Sequence, residues 1–537
     1  MRRQNGVAKN TFIVGALTAL SRVLGLVREM LQSRLVGAGV EQSAFTLAFA
    51  IPNMARKLFG EGALTAAFVP IFKNEVDAEG IEKAARLARA VITTVLAMLV
   101  ALAALSSGAI EIVSHALASR SGADAGRISL TCDLVGTLLP YMVFICGAAF
   151  GMGVLNSLGR FKASGFMPAL LNVCWIAALA TLFFFPSLSA AARVKWIARA
   201  ILAAGAVQMA FMMAAMAKAG VSPRPLFSGW GGEKVRKVWR NIGIGALGAG
   251  AVQINYMLDQ TLAQMASPWA AGVIGYAERL MDLPLGVIGV AFGTVLLPAF
   301  SGLFSKGDTE GARETLASSL KTLMFAMLPA AAGLFILAPN ITATIYQGRA
   351  FDAVATVRVS RAVAVYALGL GFFGFQKTLI PWFQAQGDLK TPLKVSTIAV
   401  VLNATLNIAA VALLPSEWRH VGLAASTVLC AMVSCILLHA LAVRKNGPLK
   451  LGGTVLPIAK MAGASVAMAV AVAAVRPLAA SMPFAEVAGG AVSLAALVAT
   501  GAMVYLAGMA AMDPDMMRSC LQKRFFRKKG ATNHEQG

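Results

Sequence analysis

Long apolar stretches separated by short polar turns run the whole length of the chain. A run of about 20 apolar residues matches the ~30 Å hydrocarbon core of a bilayer at 1.5 Å per helical residue, so each such run reads as a spanning helix. A sliding window finds about 14 of them, at approximately 11–36, 43–73, 86–118, 129–157, 164–186, 194–218, 237–266, 269–303, 313–345, 359–386, 391–414, 420–443, 453–476 and 484–511. The pattern predicts an all-α integral membrane protein, and an even number of spans puts both termini on one side. The longest connection, around 219–236, has fewer than about 20 residues, too few for a folded domain outside the membrane.

A weak internal repeat suggests the organisation. The second span carries Arg56-Lys57-Leu58, then glycines, then Val69-Pro70-Ile71-Phe72; the eighth carries Glu278-Arg279-Leu280, then glycines, then Leu297-Pro298-Ala299-Phe300. Six spans separate them, so both halves share one orientation, as in parallel repeats about an axis along the membrane normal. The simplest partition is a lobe at 1–218 with six helices, a lobe at 219–445 with six more, two extra helices at 446–511 and a basic tail at 512–537.

Composition agrees with this reading. Of 537 residues 58% are hydrophobic and 13% charged, against about 25% charged in an ordinary soluble domain. Lys plus Arg exceed Asp plus Glu by 47 − 24 = 23. In a soluble protein that excess would suggest nucleic acid. Here the basic residues sit in short connections and set topology, so no nucleic-acid partner is expected. The connections on the side of the termini hold about 29 Lys and Arg, the opposite set about 10, which places both termini in the cytoplasm. The N-terminal run carries Arg22, Arg28 and Glu29 and lacks a small-residue cleavage site, so it reads as a retained span. The six cysteines contain no CxxC pair and the four histidines have no ligand spacing, so neither a metal site nor a disulfide framework is expected.

Ionisable residues inside spans cost about 2.5–3.5 kcal/mol each on insertion scales, and they usually line a cavity. At 1.5 Å per residue Arg22 lies about 16 Å from the cytoplasmic end of its span, while Arg56 and Arg279 lie about 20 Å and 15 Å from the outer ends of theirs. These three arginines from both halves, with Arg28 nearer the outer face, form the candidate binding set. Glu29 shares a face with Arg22, and Asn53, Lys57 and Arg56 share a stripe of the second span. Glu29, Glu61, Glu278 and Asp282 are the carboxylates able to make structural ion pairs with them; beyond such pairs an excess of positive charge remains for an anionic substrate. Arginine suits a phosphate because its planar fork makes two parallel charge-assisted bonds. Arg34, at the outer end, is expected to snorkel. Asn255 and Asp259, and Asn403 and Asn407, each spaced i, i+4, are a candidate cation site, with hydrogen bonding between helices as the alternative. GIGALGAG at 243–250 and Gly147-xxx-Gly151 read as helix packing, and Asp513-Pro-Asp515 sits at a helix end without a glycosyltransferase domain.

SRVLGLVRE (21–29), GAG (37–39), AFAIPNMARKLFGEGALTAAFVPIF (48–72), LNSLGRF (155–161), YAERLMDLPLGVIGVAFGTVLLP (276–298) and GDLKTP (387–392) together resemble the MurJ/MviN family. This is the lipid II flippase branch of the multidrug/oligosaccharidyl-lipid/polysaccharide exporter superfamily. The resemblance covers nearly the whole chain. It implies 14 helices in the bacterial cytoplasmic membrane, two lobes around a cationic cavity, and a lipid-tail groove made with the last two helices. The implied substrate is lipid II, an undecaprenyl-diphosphate-linked disaccharide-pentapeptide, with membrane lipids and the wall-synthesis machinery as further partners. The family's arginines match Arg22, Arg28, Arg56 and Arg279, with Glu29 and Glu278 where aspartate is usual. Ser43 stands where the family commonly has aspartate, so an outer-gate ion pair is absent or moved to Glu41. Ala50 stands where a basic residue is common.

Alternating access is the expected mechanism, with no cofactor beyond a coupling monovalent cation or chloride. No Walker motif is present, so ATP hydrolysis by this chain is not expected. An exporter of another polyprenyl-diphosphate oligosaccharide is the nearest rival. A drug/cation antiporter would favour acidic and aromatic cavity residues. An integral-membrane glycosyltransferase would need a catalytic acid or base, and a structural scaffold would leave the midplane arginines without a purpose.

Overall fold

A computed structural model describes residues 2–58, 64–118, 123–227, 231–480 and 490–521, and the described residues are helical apart from short connections. The helices are α1 (Arg2–Val36), α2 (Val40–Ala55), α3 (Leu64–Ala118), α4 (Ala123–Leu138), α5 (Tyr141–Ser157), α6 (Phe161–Leu182), α7 (Ala190–Ala217), α8 (Glu233–Ala266), α9 (Ala270–Phe304), α10 (Thr309–Tyr346), α11 (Ala353–Gln384), α12 (Lys390–Leu413), α13 (Arg419–Asn446), α14 (Gly452–Ala480), α15 (Ala491–Met512) and α16 (Pro514–Leu521). Among the described residues, ten helical stretches are long and apolar enough to cross a bilayer by length and composition. The expected all-α membrane architecture is therefore present, while the number fourteen is not fixed by these criteria.

One expected connection differs. The charged stretch after the second span is not a loop: α3 runs from Leu64 to Ala118, interrupted by Gly80 at φ 81°, ψ 172°. Only glycine enters that region readily, so the chain turns there and resumes its helix. The fourth expected span is present as Ala125–Ser157, with a short turn at Leu139–Pro140 between α4 and α5. By packing, the chain forms two compact units: Met1–Gly272 with Gly348–Asp352, and Val273–Gln347 with Ala353–Gly537. α8 falls in the first unit because it packs on α2 and α3.

In the first unit α1 lies along α6, α5 along α7 and α2 along α4. Its core includes Phe72 and Phe150, with Phe68 stacked 5.2 Å from Phe72 and 4.6 Å from Phe150. In the second unit α10 packs on α11 and α14, and α11 on α13. Phe300 there sits 5.4 Å from the Trp382 ring in a buried cluster. Phe72 and Phe300 are the last residues of the two repeated stretches, and each anchors its own unit's core, which accounts for the aromatic that follows each proline.

A charged cluster holds the bent start of α3 to α8. Lys234 donates to Glu75 at 2.6 Å and to Glu79 at 2.8 Å, and Lys83 donates to Glu79 at 2.8 Å. The bond from Lys234, then that from Lys83, pulls the Glu79 carboxyl from an ordinary 4.5 to about 2. Because the folded pKa is depressed, this contribution is complete above about pH 4.5 and is lost as the pH falls toward about 2. We expect Lys234→Met to lower the thermal midpoint at neutral pH, with a gap from the wild type that narrows on acidification through that window and also in high salt. A gap constant from neutral pH to about pH 3 would assign the effect to packing of the lysine stem instead.

Candidate functional site

α1 carries Arg22, Arg28 and Glu29, and its Arg28 end is built against α6. Asn172 of α6 donates to the Ser21 carbonyl at 2.9 Å, which fixes its amide so that its oxygen accepts from Arg28 Nη1 at 3.0 Å. Arg28 Nη2 donates to the neighbouring Glu29 carboxylate. The guanidinium carbon lies 4.4 Å from the centre of the Trp175 ring, one turn along α6 from Asn172. A cation over an indole face contributes about 0.5–2 kcal/mol, more as water is excluded. Arg28 and Glu29 are 13% and 15% exposed, so neither is bathed by water nor sealed off. Trp175 is itself pinned by Phe45 and Phe49, edge-on at 5.9 and 5.5 Å.

This setting leaves Arg28 flat, oriented and charged. Sequence reading missed Asn172 and Trp175. A lone asparagine with a tryptophan three residues on, in an otherwise apolar span, was the available signal.

α2 presents Arg56 differently. Pro52 has no N–H to give the preceding turn, and residues 56–58 follow in a π-helical turn, a feature often met at functional sites. The Arg56 N–H reaches the carbonyls of both Asn53 and Pro52, while its Nε donates to the Asn53 side-chain oxygen at 3.0 Å. Asn53 and Arg56 thus pair, as their shared stripe predicts. Lys57 lies 5.1 Å from the Tyr256 ring centre on α8, which joins the site-bearing ends of α2 and α8. Glu61 lies outside the described residues.

Arg22 is exposed on α1 rather than enclosed within its unit. In the second unit, Arg279 and Asp282 are exposed on α9 and Glu278 is partly buried. The four polar residues of the candidate cation site form two pairs within helices. Asn255 donates to Asp259 at 3.1 Å on α8, and the buried Asn407 donates to Asn403 at 3.0 Å on α12. These two bonds each run i, i+4 along one helix. Among the described residues no three His, Cys, Asp or Glu side chains converge as metal ligands.

Two further expectations are refined. Ser43 is buried, and its hydroxyl accepts from the Gly272 N–H at 2.9 Å, so a neutral hydrogen bond occupies this position on α2. Arg34 does not extend freely: Gly348 lies over its stem, and its carbonyl accepts from the Ala350 N–H at 3.2 Å.

A family model described as lipid II flippase MurJ matches residues 32–494. A probable lipid II flippase MurJ of Rhizobium tropici is 34% identical over 405 residues, covering 75% of each chain. The lipid II flippase MurJ of Burkholderia cenocepacia is 32% identical over 440 residues, covering 81% of this chain and 83% of that one. A solved lipid II flippase MurJ in an inward closed conformation superposes with a TM-score of 0.76 at 22% identity, over 94% of this chain and 100% of that one. An inward-facing multidrug resistance MATE family transporter of the MOP superfamily gives 0.66 at 15% identity, over 82% and 99%. At such identities the two structures speak to the fold, while the family model and the curated relatives speak to kinship. The chain belongs to the lipid II flippase MurJ family.

Proposed function

We propose that this chain, a transporter rather than an enzyme, carries lipid II from the inner to the outer leaflet of the bacterial cytoplasmic membrane by alternating access, with both termini in the cytoplasm. The observation that carries the reading is Arg28, held flat on Trp175 by Asn172 and Glu29 in an α1 that also exposes Arg22. A preset guanidinium fork on a spanning helix matches a diphosphate, with each charge-assisted hydrogen bond contributing about 1.5–3 kcal/mol. Arg22, Arg28, Arg56 and Arg279 bind the diphosphate. Asn53, Glu29, Glu278, Asp282, Lys57 and Glu61 orient or balance them.

Substrate charge relieves repulsion among the arginines and so favours a different conformation from the empty state, which is a population shift driven by differential binding. A coupling cation, with Asn255, Asp259, Asn403 and Asn407 as ligands, or chloride, resets the cycle. One charge moving through the membrane potential supplies about 2.3 kcal/mol per 100 mV. The last two membrane helices hold the polyprenyl tail, and wall-synthesis enzymes take the product.

The test is rescue of cells depleted of their own lipid II flippase, at matched membrane expression. We expect the wild type to rescue, and Arg22→Ala, Arg56→Ala and Arg279→Ala each to fail or grow poorly. Failure of a well-expressed wild type would move the reading to another polyprenyl-diphosphate oligosaccharide. Full rescue by all three variants would reduce these arginines to structural ion-pair partners.

A further inference from the structure

A further group of basic residues lies in the second unit, where α10, α14 and α16 meet. Counting about 20 residues of hydrocarbon thickness back from Tyr346 ends the apolar part of α10 near Met327, so Lys321 stands at headgroup level. The same count from Ala480 ends at Lys460 on α14, and α15 ends at Met512 just before Asp513. The count thus puts Lys460 at the hydrocarbon edge and Lys321 about 7–8 Å beyond it, both, with Asp513, on the side that the charge bias of the connections makes cytoplasmic.

The contacts agree with the count. Lys460 donates to Asp513 Oδ2 at 3.1 Å, and Asp513 Oδ1 accepts the Met516 N–H at 3.1 Å, capping α16. Lys321 lies close enough to act on the same carboxylate, which is held below its ordinary range chiefly by the Lys460 bond. α16 folds back so that Cys520 meets Thr322, the residue after Lys321. Met516, Met517 and Cys520 are partly buried, while Asp515, Arg518 and Ser519 face outward. One aspartate, already bonded to Lys460 and to the Met516 N–H, is therefore the carboxylate nearest in effect to Lys321 as well. Lys321 donates no hydrogen bond among the described residues, and Arg518 adds charge on the open face of α16, against Asp515 in its first turn. The sequence that follows adds Lys523, Arg524, Arg527, Lys528 and Lys529 with no carboxylate before Gly530.

We infer that the α10–α14–α16 junction binds the phosphate of an anionic phospholipid of the inner leaflet between Lys321 and Lys460. Both ammonium groups lie at or beyond the cytoplasmic edge of the hydrocarbon by this count, Lys460 shares its aspartate with the α16 cap, and Lys321 donates to no protein acceptor among the described residues. Basic residues beside a membrane helix contribute about 1 kcal/mol each toward anionic lipid, which is roughly fivefold in affinity. The site shares no residue with the arginine set, and its test reads lipid retention rather than transport, so it stands or falls separately from the proposed function.

The experiment is native mass spectrometry of the full chain titrated with phosphatidylglycerol or phosphatidylcholine. We expect preferential retention of phosphatidylglycerol, a loss of roughly fivefold in Lys321→Gln, and retention near the wild type in Lys321→Arg. Asp513→Asn should tighten binding, since asparagine still caps α16 while one competing negative charge is gone. Truncation after Leu521 tests the tail separately and should leave the contrast between those two variants intact. Opposite shifts in Lys321→Gln and Asp513→Asn support the site, because damage to folding would weaken both. Equal retention in Lys321→Gln and wild type would overturn it, as would shifts of the same sign. Competition by glycerol phosphate at the same concentration as lipid would also overturn it, by making the occupant a soluble phosphate.

Discussion

Arg28→Lys should fail to rescue flippase-depleted cells almost as completely as Arg28→Ala, at unchanged membrane levels. A lysine keeps the charge but not the plane. The guanidinium of Arg28 simultaneously donates to Asn172, donates to Glu29 and lies on the Trp175 ring. A single ammonium on a flexible stem cannot hold those three relations and still offer two parallel donors to a phosphate. Losing two charge-assisted bonds costs about 3 kcal/mol or more, upward of a hundredfold in affinity for the diphosphate. Asn172→Ala tests the support separately. It removes one bond that orients the fork, so we expect binding of lipid II to weaken by about tenfold, with partial rescue. Binding by purified protein, measured beside rescue, separates the outcomes. Normal lipid II binding by Arg28→Lys would mean that charge alone matters there, and would remove the oriented fork as the basis for recognition.

What the sequence made legible follows from range. Helical spans and the pairing of Asn53 with Arg56 depend on spacing within one helix, which period and rise dictate. Asn172 and Trp175 stand 144 and 147 positions from Arg28, and no periodicity in either segment specifies that α6 lies on α1. The charged residues between spans 43–73 and 86–118 read as a connection because charge signals solvent. In the fold this stretch is largely helical, and Lys234, remote in sequence, gathers its Glu75 and Glu79. The packing of α8 on α2 and α3 is likewise long-range and carries no local signal. Ser43 shows the converse. Its place where the resembled family commonly has aspartate implies an ion pair absent or moved to Glu41, and its hydroxyl accepts a backbone N–H, which no side-chain pattern announces.

Gly37→Ala should cost more stability than any of the site substitutions, although alanine is the smallest possible change. α1 ends at Val36, and Gly37 closes it with φ 82° and an N–H bond of 2.8 Å to the Ser33 carbonyl. This is the left-handed helix ending that glycine favours, and a residue with a Cβ gives up about 1–2 kcal/mol there. Space adds to that: a Cβ on Gly37 would lie 2.2 Å from the Ala350 carbonyl oxygen and 3.1 Å from its carbon. Those are main-chain atoms of the segment Gly348–Asp352, itself tied to α1 by the bond from the Ala350 N–H to the Arg34 carbonyl. Relief therefore requires moving backbone, with overpacking costs of about 1–3 kcal/mol. The combined loss of about 2–5 kcal/mol is a large fraction of the 5–15 kcal/mol typical of a folded protein, so reduced membrane yield and a lower thermal midpoint are expected. Adding Ala350→Gly should not restore stability, because the colliding atoms belong to the main chain. Recovery in that double variant would locate the clash at the Ala350 side chain, and a wild-type midpoint for Gly37→Ala alone would show that the α1–α2 turn tolerates a different path.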